Sequence, residues 1–203
     1  MLGKTNPRGA AFLDRDGVIN FDRGYVYRRE DFEFVPGVLK GARELSELGY
    51  LLVVATNQSG IGRGLYTTGD FDTLTAWMKA EFLAAKAPLS GVYFCPHHPS
   101  EGSGPYRCSC DCRKPAPGML TAAARDLNLD LSASIMFGDS VSDLHAAQSA
   151  GVALRVLLGT DGRDVPPMPP VPGLASAAFS RLDEALADPV LRSRLSAPNT
   201  IIG

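Results

Sequence analysis

Two carboxylates, Asp14 and Asp16, stand two residues apart at the end of an apolar segment and directly before Gly17. Alternate side chains of an extended chain lie on one face, so both carboxylates can act on a single reacting group. Their mutual repulsion allows one to attack while the other carries a proton. Gly17 permits a sharp backbone turn beside them. The spacing predicts a phosphoryl-transfer site, although an isolated Asp-x-Asp-Gly also occurs in solvated turns and calcium-binding loops.

Three other segments contain the further groups that such a site requires. Thr56 and Asp139 each follow an apolar run, and Asp143 comes four residues after Asp139. Lys114 stands just before a predicted helix. Each residue has an ordinary alternative: Thr56 could cap a loop, the two aspartates could be first-turn helix acids, and the lysine could be solvated. Found together and in this order, the four segments favour one site over four coincidences.

These four segments resemble the four motifs of the haloacid-dehalogenase superfamily of phosphatases. The resemblance implies that Asp14 attacks phosphorus and forms an aspartyl-phosphate. It implies that Asp16 protonates the departing sugar oxygen and then takes a proton from the hydrolytic water. It also implies that Thr56 donates to a phosphoryl oxygen and that Asp143 orients Lys114.

The charge of a phosphate monoester must be neutralised before a nucleophile can attack it. Lys114 can supply one positive charge. Mg²⁺ can supply the rest, held by Asp14, Asp139 and the main-chain carbonyl of Asp16, because this ion prefers a few oxygen ligands together with water and substrate phosphate. We therefore expect a magnesium-dependent phosphoric monoester hydrolase.

The four cysteines lie within 18 residues of one another, between Cys95 and Cys112, and His97 lies among them. In a reduced, cytosolic chain this clustering favours a zinc site over disulfides or incidental buried thiols. The family register implies that the ligands are Cys95, His97, Cys110 and Cys112 in a structural tetrahedral site, which leaves Cys108 as the extra thiol. A four-cysteine site with Cys108 in place of His97 remains an alternative.

Further segments narrow the resemblance to one branch of the superfamily. They are the residues 22–26, 56–64, 95–99 and 110–120. They resemble the D-glycero-D-manno-heptose 1,7-bisphosphate 7-phosphatases, over roughly residues 10–158. This implies removal of the 7-phosphate in ADP-heptose biosynthesis, which supplies lipopolysaccharide or S-layer glycans. The substrate contacts that it implies are Asp22, Arg23, Gly24, Tyr25, Thr56, Asn57, Gln58, Ser59, Arg113 and Lys114.

The chain departs from the pattern at Ser140, where a basic residue can follow the metal-binding aspartate. Two other functions stay open. Histidinol-phosphate phosphatases share the aspartates and the zinc motif, but typically have a shorter metal loop and lack the Gly-Tyr-Val and His-His-Pro segments present here. A catalytically decayed sugar-phosphate-binding protein is the second alternative, and the intact aspartates, threonine and lysine argue against it.

The elements that must position these residues alternate between strand and helix patterns. Besides the segment before Asp14, strands are predicted at 51–55, 91–95, 134–138 and 152–158, and helices at 38–48, from Thr67 or Thr68 to 85, from Pro117, at 141–150 and at 182–187. This predicts an α/β fold with a doubly wound, mostly parallel sheet, a zinc-binding loop and a minimal cap. In such sheets ligands bind beyond the carboxyl ends of the strands, where Asp14, Thr56 and Asp139 are predicted to lie.

Composition agrees with a small enzyme. With 203 residues, 45% of them hydrophobic, we expect one domain over 1–203, with a zinc loop at 95–112 and a proline-rich connector at 165–173. The net charge of −2 and the lack of a basic stripe argue against a nucleic-acid partner. The sequence shows neither a signal peptide nor a long apolar run. We expect a cytoplasmic monomer that acts on a small-molecule sugar phosphate and does not bind membranes.

Overall fold

The computed structural model describes residues 7–160, 164, 166 and 172–196. Its centre is a six-stranded sheet with the strand order β3-β2-β1-β4-β5-β6, in which every neighbouring pair is parallel. The strands are β1 (Ala10–Leu13), β2 (Leu51–Asn57), β3 (Leu89–Cys95), β4 (Ile135–Gly138), β5 (Leu154–Leu158) and β6 (Ala177–Phe179). The predicted α/β fold with a doubly wound sheet is confirmed. The proline-rich connector predicted at 165–173 falls mostly outside the described residues.

Seven α-helices are described around this sheet. They are α1 (Val38–Glu47), α2 (Ser59–Gly62), α3 (Thr68–Ala84), α4 (Gly118–Leu127), α5 (Val141–Ala150), α6 (Leu182–Ala187) and α7 (Pro189–Ser196). The predicted helices are present, and Thr67 rather than Thr68 is the N-cap of α3. The one-turn helix α2, the strand β6 and the helix α7 were not predicted from the sequence.

The two faces of the sheet are both covered, which explains the uninterrupted apolar runs in its central strands. Along β1, Ala11 and Leu13 face a core shared with α1, α3, α6 and α7. Ala10 and Phe12 face a second core, shared with α4 and α5. Side chains alternate along a strand, so a central strand with two buried faces has no place for polar residues until it ends. The first polar residues of the chain after β1 therefore appear at the carboxyl edge.

The C-terminal segment completes the first of these cores. Leu182 and Leu186 of α6, with Leu191 and Leu195 of α7, are buried in the same cluster as α1. The sequence analysis assigned this segment no chemistry, and its described part lines none of the clefts discussed below. Among the residues that the structure describes, no helix combines the length and the apolar character needed to cross a bilayer.

Candidate active site

The strands β1, β2 and β4 end side by side, and the polar residues that follow them line a cleft of about 480 Å³. The strand order reverses at β1, which is where ligands bind in doubly wound sheets. The cleft is lined by Asp14, Asp16, Asp22, Gly24, Tyr25, Thr56, Asn57, Gln58, Ser59, Gly60, Tyr66, Lys114, Asp139, Ser140, Ser142 and Asp143. Segments far apart in the sequence thus meet at one edge, as the motif order predicts.

Lys114 lies between two carboxylates at the floor of this cleft. Its Nζ is 2.9 Å from Oδ1 of Asp14 and 2.6 Å from Oδ1 of Asp143, and it donates to the main-chain carbonyl of Ala55 at 2.8 Å. The ammonium group is almost fully buried. The charges and hydrogen bonds of Asp14 and Asp143 outweigh the cost of burying the ammonium group and raise the pKa of Lys114, so the side chain stays positive. The site therefore holds a permanent cation beside Asp14.

Asp143 divides its two carboxylate oxygens between two tasks. Oδ1 pairs with Lys114, while Oδ2 accepts from the main-chain N–H and the hydroxyl of Ser140 at 3.0 and 2.7 Å. Ser140 in turn accepts from the N–H of Asp143, which completes a capping box at the start of α5. Ser140, the position where the chain departs from the family pattern, is thus a helix cap that holds Asp143 in place.

Asp14, Asp139 and Asp143 form an acidic cluster in which one oxygen of each lies within 4.8 Å of the others. Gly17 makes this possible: it has φ +86°, and a Cβ there would lie 2.0 Å from an oxygen of Asp139. Burial raises the pKa of Asp14 to about 7 and that of Asp139 to about 8, and repulsion within the cluster adds to both shifts. Buried carboxylate oxygens that repel one another form a donor set that fits a divalent cation.

Asp16 lies in the same cleft, and its carboxylate accepts hydrogen bonds from three side chains. Arg15 donates to it through Nε and Nη2, Asn20 donates to Oδ1 at 3.0 Å, and Gln58 donates to Oδ2 at 2.9 Å. Arg15 is itself fully buried and also donates to the carbonyl of Val26 at 2.7 Å. These contacts fix the orientation of the Asp16 carboxyl group, which remains accessible from the cleft. Sequence reasoning singled out neither Arg15 nor Asn20.

Gln58, a predicted substrate contact, lines the cleft, and its side-chain amide is also hydrogen-bonded to protein groups. Its Nε2 donates to Asp16 and to Oγ1 of Thr56, at 2.9 Å in each case, and its Oε1 accepts from the hydroxyl of Tyr66 at 2.5 Å. Because Thr56 accepts from Gln58, its own hydroxyl proton can be donated to a phosphoryl oxygen. Tyr66, which the sequence analysis did not identify, belongs to the same hydrogen-bonded group.

The remaining predicted substrate residues divide into two groups. Asp22, Gly24, Tyr25 and Ser59 line the cleft. Asn57 also lines it, but its side chain bonds both main-chain polar groups of Lys114, at 3.1 and 3.2 Å, and so anchors that backbone.

Two predicted substrate residues lie outside the cleft lining. Arg23 forms an ion pair with Glu33 on the surface. Arg113 donates from Nη1 to the carbonyl of His97 at 3.1 Å. The positive charges of these two side chains therefore lie near the cleft rather than in it.

A second cluster of possible metal ligands lies beside the active-site cleft. Cys95, His97, Cys110 and Cys112 each offer a ligand atom within 4.8 Å of the others, and the Sγ–Sγ distances are 3.1 to 3.5 Å. Nδ1 of His97 is 3.2 Å from Sγ of Cys112. Cys108 lies outside this group. Three thiols and an imidazole at this separation fit a tetrahedral zinc ion.

A larger groove of about 1170 Å³ lies on the other side of Tyr66. Its charged lining residues are Arg28, Arg29, Glu30 and Asp70, and their formal charges sum to zero. None of the aspartates of the acidic cluster lines it, so the smaller cleft is the one suited to phosphoryl chemistry.

The comparisons with known proteins agree with this geometry. Residues 111–166 match the HAD-hydrolase-like family model. The chain is 50% identical over 159 residues to a D-glycero-beta-D-manno-heptose-1,7-bisphosphate 7-phosphatase of Salmonella typhi, covering 78% of this chain and 84% of that protein. It is 43% identical over 192 residues to the protein of the same name from Yersinia pestis, covering 95% and 94%.

A solved structure is also similar. It is the D,D-heptose 1,7-bisphosphate phosphatase of B. bronchiseptica in complex with magnesium and phosphate, with a TM-score of 0.75 and 31% identity. The match covers 91% of this chain and 99% of that one.

Proposed function

The chain belongs to the D-glycero-beta-D-manno-heptose-1,7-bisphosphate 7-phosphatase family of haloacid-dehalogenase-like hydrolases, and from this membership we propose that it removes the 7-phosphate of heptose 1,7-bisphosphate through an aspartyl-phosphate. The chain is a phosphatase, and its place is in the heptose pathway. The observation that carries the mechanism is the Asp14 carboxylate, 2.9 Å from a buried lysine and in the same cleft as Asp16.

In the first step, an oxygen of Asp14 attacks phosphorus, and the bond between phosphorus and the sugar oxygen breaks. The electron pair of that bond stays on the sugar oxygen, which takes a proton from the Asp16 carboxyl group. Thr56 donates its hydroxyl proton to a phosphoryl oxygen, and the Lys114 ammonium stabilises the charge on the phosphoryl group. The products of this step are the sugar alcohol and a phosphorylated Asp14.

In the second step, Asp16 takes a proton from a water molecule as the water oxygen attacks phosphorus. The bond between Asp14 and phosphorus breaks, inorganic phosphate leaves, and both carboxyl groups return to their starting states. Asp143 does not take part in bond changes; it holds Lys114 through the ion pair at 2.6 Å.

Asp14, Asp139 and the main-chain carbonyl of Asp16 would hold Mg²⁺, and the buried acidic cluster fits that ion. When bound, Mg²⁺ supplies positive charge that offsets the charge of the phosphoryl oxygens. Cys95, His97, Cys110 and Cys112 would hold a structural zinc ion. Zinc held there would order the loop that continues directly into Arg113 and Lys114, so its effect on catalysis would be indirect.

A kinetic comparison of substrates tests the proposal. Phosphate release is measured with Mg²⁺ on both anomers of heptose 1,7-bisphosphate and on histidinol phosphate, with Asp14→Asn as the inactive control. We expect kcat/KM to be highest on a heptose bisphosphate. A preference for histidinol phosphate would assign the chain to that reaction instead, and the absence of turnover on all three substrates would point to a binding protein.

A further inference from the structure

We propose that Tyr66 is a positioning residue that acts through the side-chain amide of Gln58 to fix the orientation of both the Asp16 carboxyl group and the Thr56 hydroxyl. The inference rests on the proposed function, because it concerns the groups assigned there to proton transfer and phosphoryl binding. It gives Gln58 a role inside the protein beside the substrate contact that the sequence predicts for this cleft-lining residue.

The amide nitrogen of Gln58 links the two catalytic groups directly. An amide NH₂ has two hydrogens, and Nε2 has two acceptors here, Oδ2 of Asp16 and Oγ1 of Thr56, each at 2.9 Å. Asp16 serves the leaving oxygen and Thr56 serves a non-bridging oxygen of the same phosphoryl group. One nitrogen therefore sets the distance between the group that acts on the leaving oxygen and the group that binds the phosphoryl oxygen.

The Tyr66 hydroxyl determines which way this amide faces. Oε1 of Gln58 accepts from that hydroxyl at 2.5 Å, so the NH₂ group must point the other way, at Asp16 and Thr56. Without this donor, the amide could rotate by half a turn and present its oxygen to Asp16. In the ionised state of Asp16, from which the second step begins, two acceptors would then face each other across 2.9 Å. Gln58 is 2% exposed, so water has little access to replace the lost partner.

Asp16 depends on this contact because its other partners are local. Oδ1 accepts from Arg15 and Asn20, and Oδ2 also accepts from Nη2 of Arg15 at 2.9 Å; these two residues lie one and four positions away in the same loop. Gln58 is 42 residues away and follows β2. Its bond to Oδ2 therefore ties the loop that carries the proton-transfer group to the loop that binds the phosphoryl group.

Tyr66 is itself held rigidly. Its ring stacks on that of Tyr27, with centroids 5.1 Å apart and planes inclined by 6°. A Cβ at Gly60 would lie 2.1 Å from Cε1 of Tyr66, so the ring reaches Gln58 only because residue 60 has no side chain. Burial raises the pKa of Tyr66 to about 12, so the hydroxyl remains a donor in the neutral range. The chain thus presents a fixed donor to Oε1 of Gln58.

The test compares Tyr66→Phe with Tyr27→Phe. The two substitutions remove the same hydroxyl from the two rings of one stacked pair, but only the first removes the donor to Gln58. Each variant is assayed on heptose bisphosphate, whose leaving oxygen needs a proton, and on 4-nitrophenyl phosphate, whose leaving group needs none. Thermal unfolding shows whether each variant is folded. Asp16→Asn is measured in the same way.

We expect Tyr66→Phe to lower kcat/KM on heptose bisphosphate about tenfold, a fraction of the 10²–10⁴ that general acid–base catalysis supplies. This constant covers only the steps up to phosphorylation of Asp14, so the later role of Asp16 as a base, which both substrates need, does not enter it. On 4-nitrophenyl phosphate kcat/KM should fall only about two- to threefold, through the Thr56 contact, and Tyr27→Phe should stay within about twofold of wild type on both substrates. Combining Tyr66→Phe with Asp16→Asn should add little on heptose bisphosphate to the loss from Asp16→Asn alone, because both act on the same group.

Equal losses on the two substrates, or no loss on either, would overturn the positioning role of Tyr66. If Asp16→Asn shows the dependence on the leaving group and Tyr66→Phe does not, this inference fails while the proposed function stands. If Asp16→Asn itself shows no such dependence, the assignment of Asp16 to proton transfer fails, and the positioning role fails with it.

Discussion

Lys114 and Asp143 form the shortest ion pair in the active-site cleft, with 2.6 Å between Nζ and Oδ1, and both side chains are almost completely buried. Lys114 comes just before α4, and Asp143 lies in the first turn of α5. The second oxygen of Asp143 caps α5. The Asp143 carboxylate therefore both caps α5 and fixes the position of the Lys114 ammonium group, which faces the phosphoryl group.

The first prediction separates these two tasks of Asp143. Asp143→Asn should lower kcat by about tenfold to a hundredfold, because hydrogen bonds to a charged group contribute about 1.5–3 kcal/mol and Lys114 would lose one charged partner. The matched control is Asp70→Asn, since Asp70 has the same capping-box position in α3 but faces no lysine. Asp143→Asn should also lower the free energy of unfolding, because the buried Lys114 loses a charged partner, whereas the exposed Asp70→Asn should change it only slightly; only Asp143→Asn should lose activity. Similar kinetics for the two variants would contradict the positioning of Lys114 by Asp143.

The second prediction concerns the nucleophile. Asp14→Asn should abolish turnover and the covalent intermediate, because an amide cannot form the aspartyl-phosphate. A phosphate mimic with the wild-type protein, followed by mass spectrometry, should label Asp14. Asp16→Asn should instead slow both chemical steps and still allow a phosphorylated Asp14 to be trapped. A rate above a few per cent of wild type in Asp14→Asn, with demonstrated purity from contaminating phosphatase, would exclude Asp14 as the nucleophile.

The third prediction concerns the second phosphate of the substrate. Arg113 uses Nη1 to hold the carbonyl of His97, which leaves its other N–H groups for an anion at the edge of the cleft. Arg113→Ala should raise KM for heptose bisphosphate about tenfold or more, and should affect a sugar monophosphate less. The loss should exceed that of Arg23→Ala, because Arg23 pairs with Glu33. Equal effects of Arg113→Ala on the two substrates would argue against this contact; zinc content measured in parallel shows whether the loop is intact.

The fourth prediction identifies the extra thiol. The cluster of possible zinc ligands includes Cys110 and His97 but not Cys108. Elemental analysis should therefore find about one zinc ion per chain in wild type and in Cys108→Ser, and loss of zinc in Cys110→Ser and His97→Ala. Loss of metal from Cys108→Ser, together with its retention in His97→Ala, would establish the four-cysteine alternative.

The fifth prediction concerns pH and magnesium. The pKa of Asp14 is raised to about 7 and that of Asp139 to about 8, mainly by burial, from a usual value of 3.8. At pH values between the usual pKa of 3.8 and the raised pKa values, the folded, metal-free protein binds more protons than the unfolded chain. Its stability therefore falls as pH rises from about 4 to about 8. Magnesium must displace those protons, so its affinity should rise with pH over the upper part of this range, by about tenfold per pH unit for each proton released.

Thermal unfolding with and without Mg²⁺ checks this linkage. The stabilisation by Mg²⁺ should be larger at about pH 8.5 than at about pH 6, and it should disappear in Asp139→Asn. The same stabilisation at both pH values, or its persistence in Asp139→Asn, would show that the ion does not bind at the acidic cluster.

Much of the fold and of the candidate site could be predicted from local sequence patterns. Apolar runs separated by helical periodicity predicted the α/β sheet, because a strand buried on both faces and a helix buried on one have different repeats. The residues that end these runs, among them Asp14, Thr56 and Asp139, then had to meet at one edge, since parallel strands end on the same side. The sequence also narrowed the N-cap of α3 to Thr67 or Thr68, because a helix cap depends on a few neighbouring residues, and the structure selects Thr67.

Hydrogen-bond partners across the fold were decided only by the tertiary structure. The sequence predicted Gln58 only as a substrate contact, and its hydrogen bonds with Asp16 and Tyr66 became visible in the tertiary structure. Arg113 lies against His97 outside the cleft lining. The sequence also did not predict the contribution of α7 to the core. This helix has few apolar residues, and they are buried only because α7 packs into the same core as α1. Spacing along the chain shows which side chains share a face, but their partners depend on how distant segments pack, and polar groups buried there must satisfy one another.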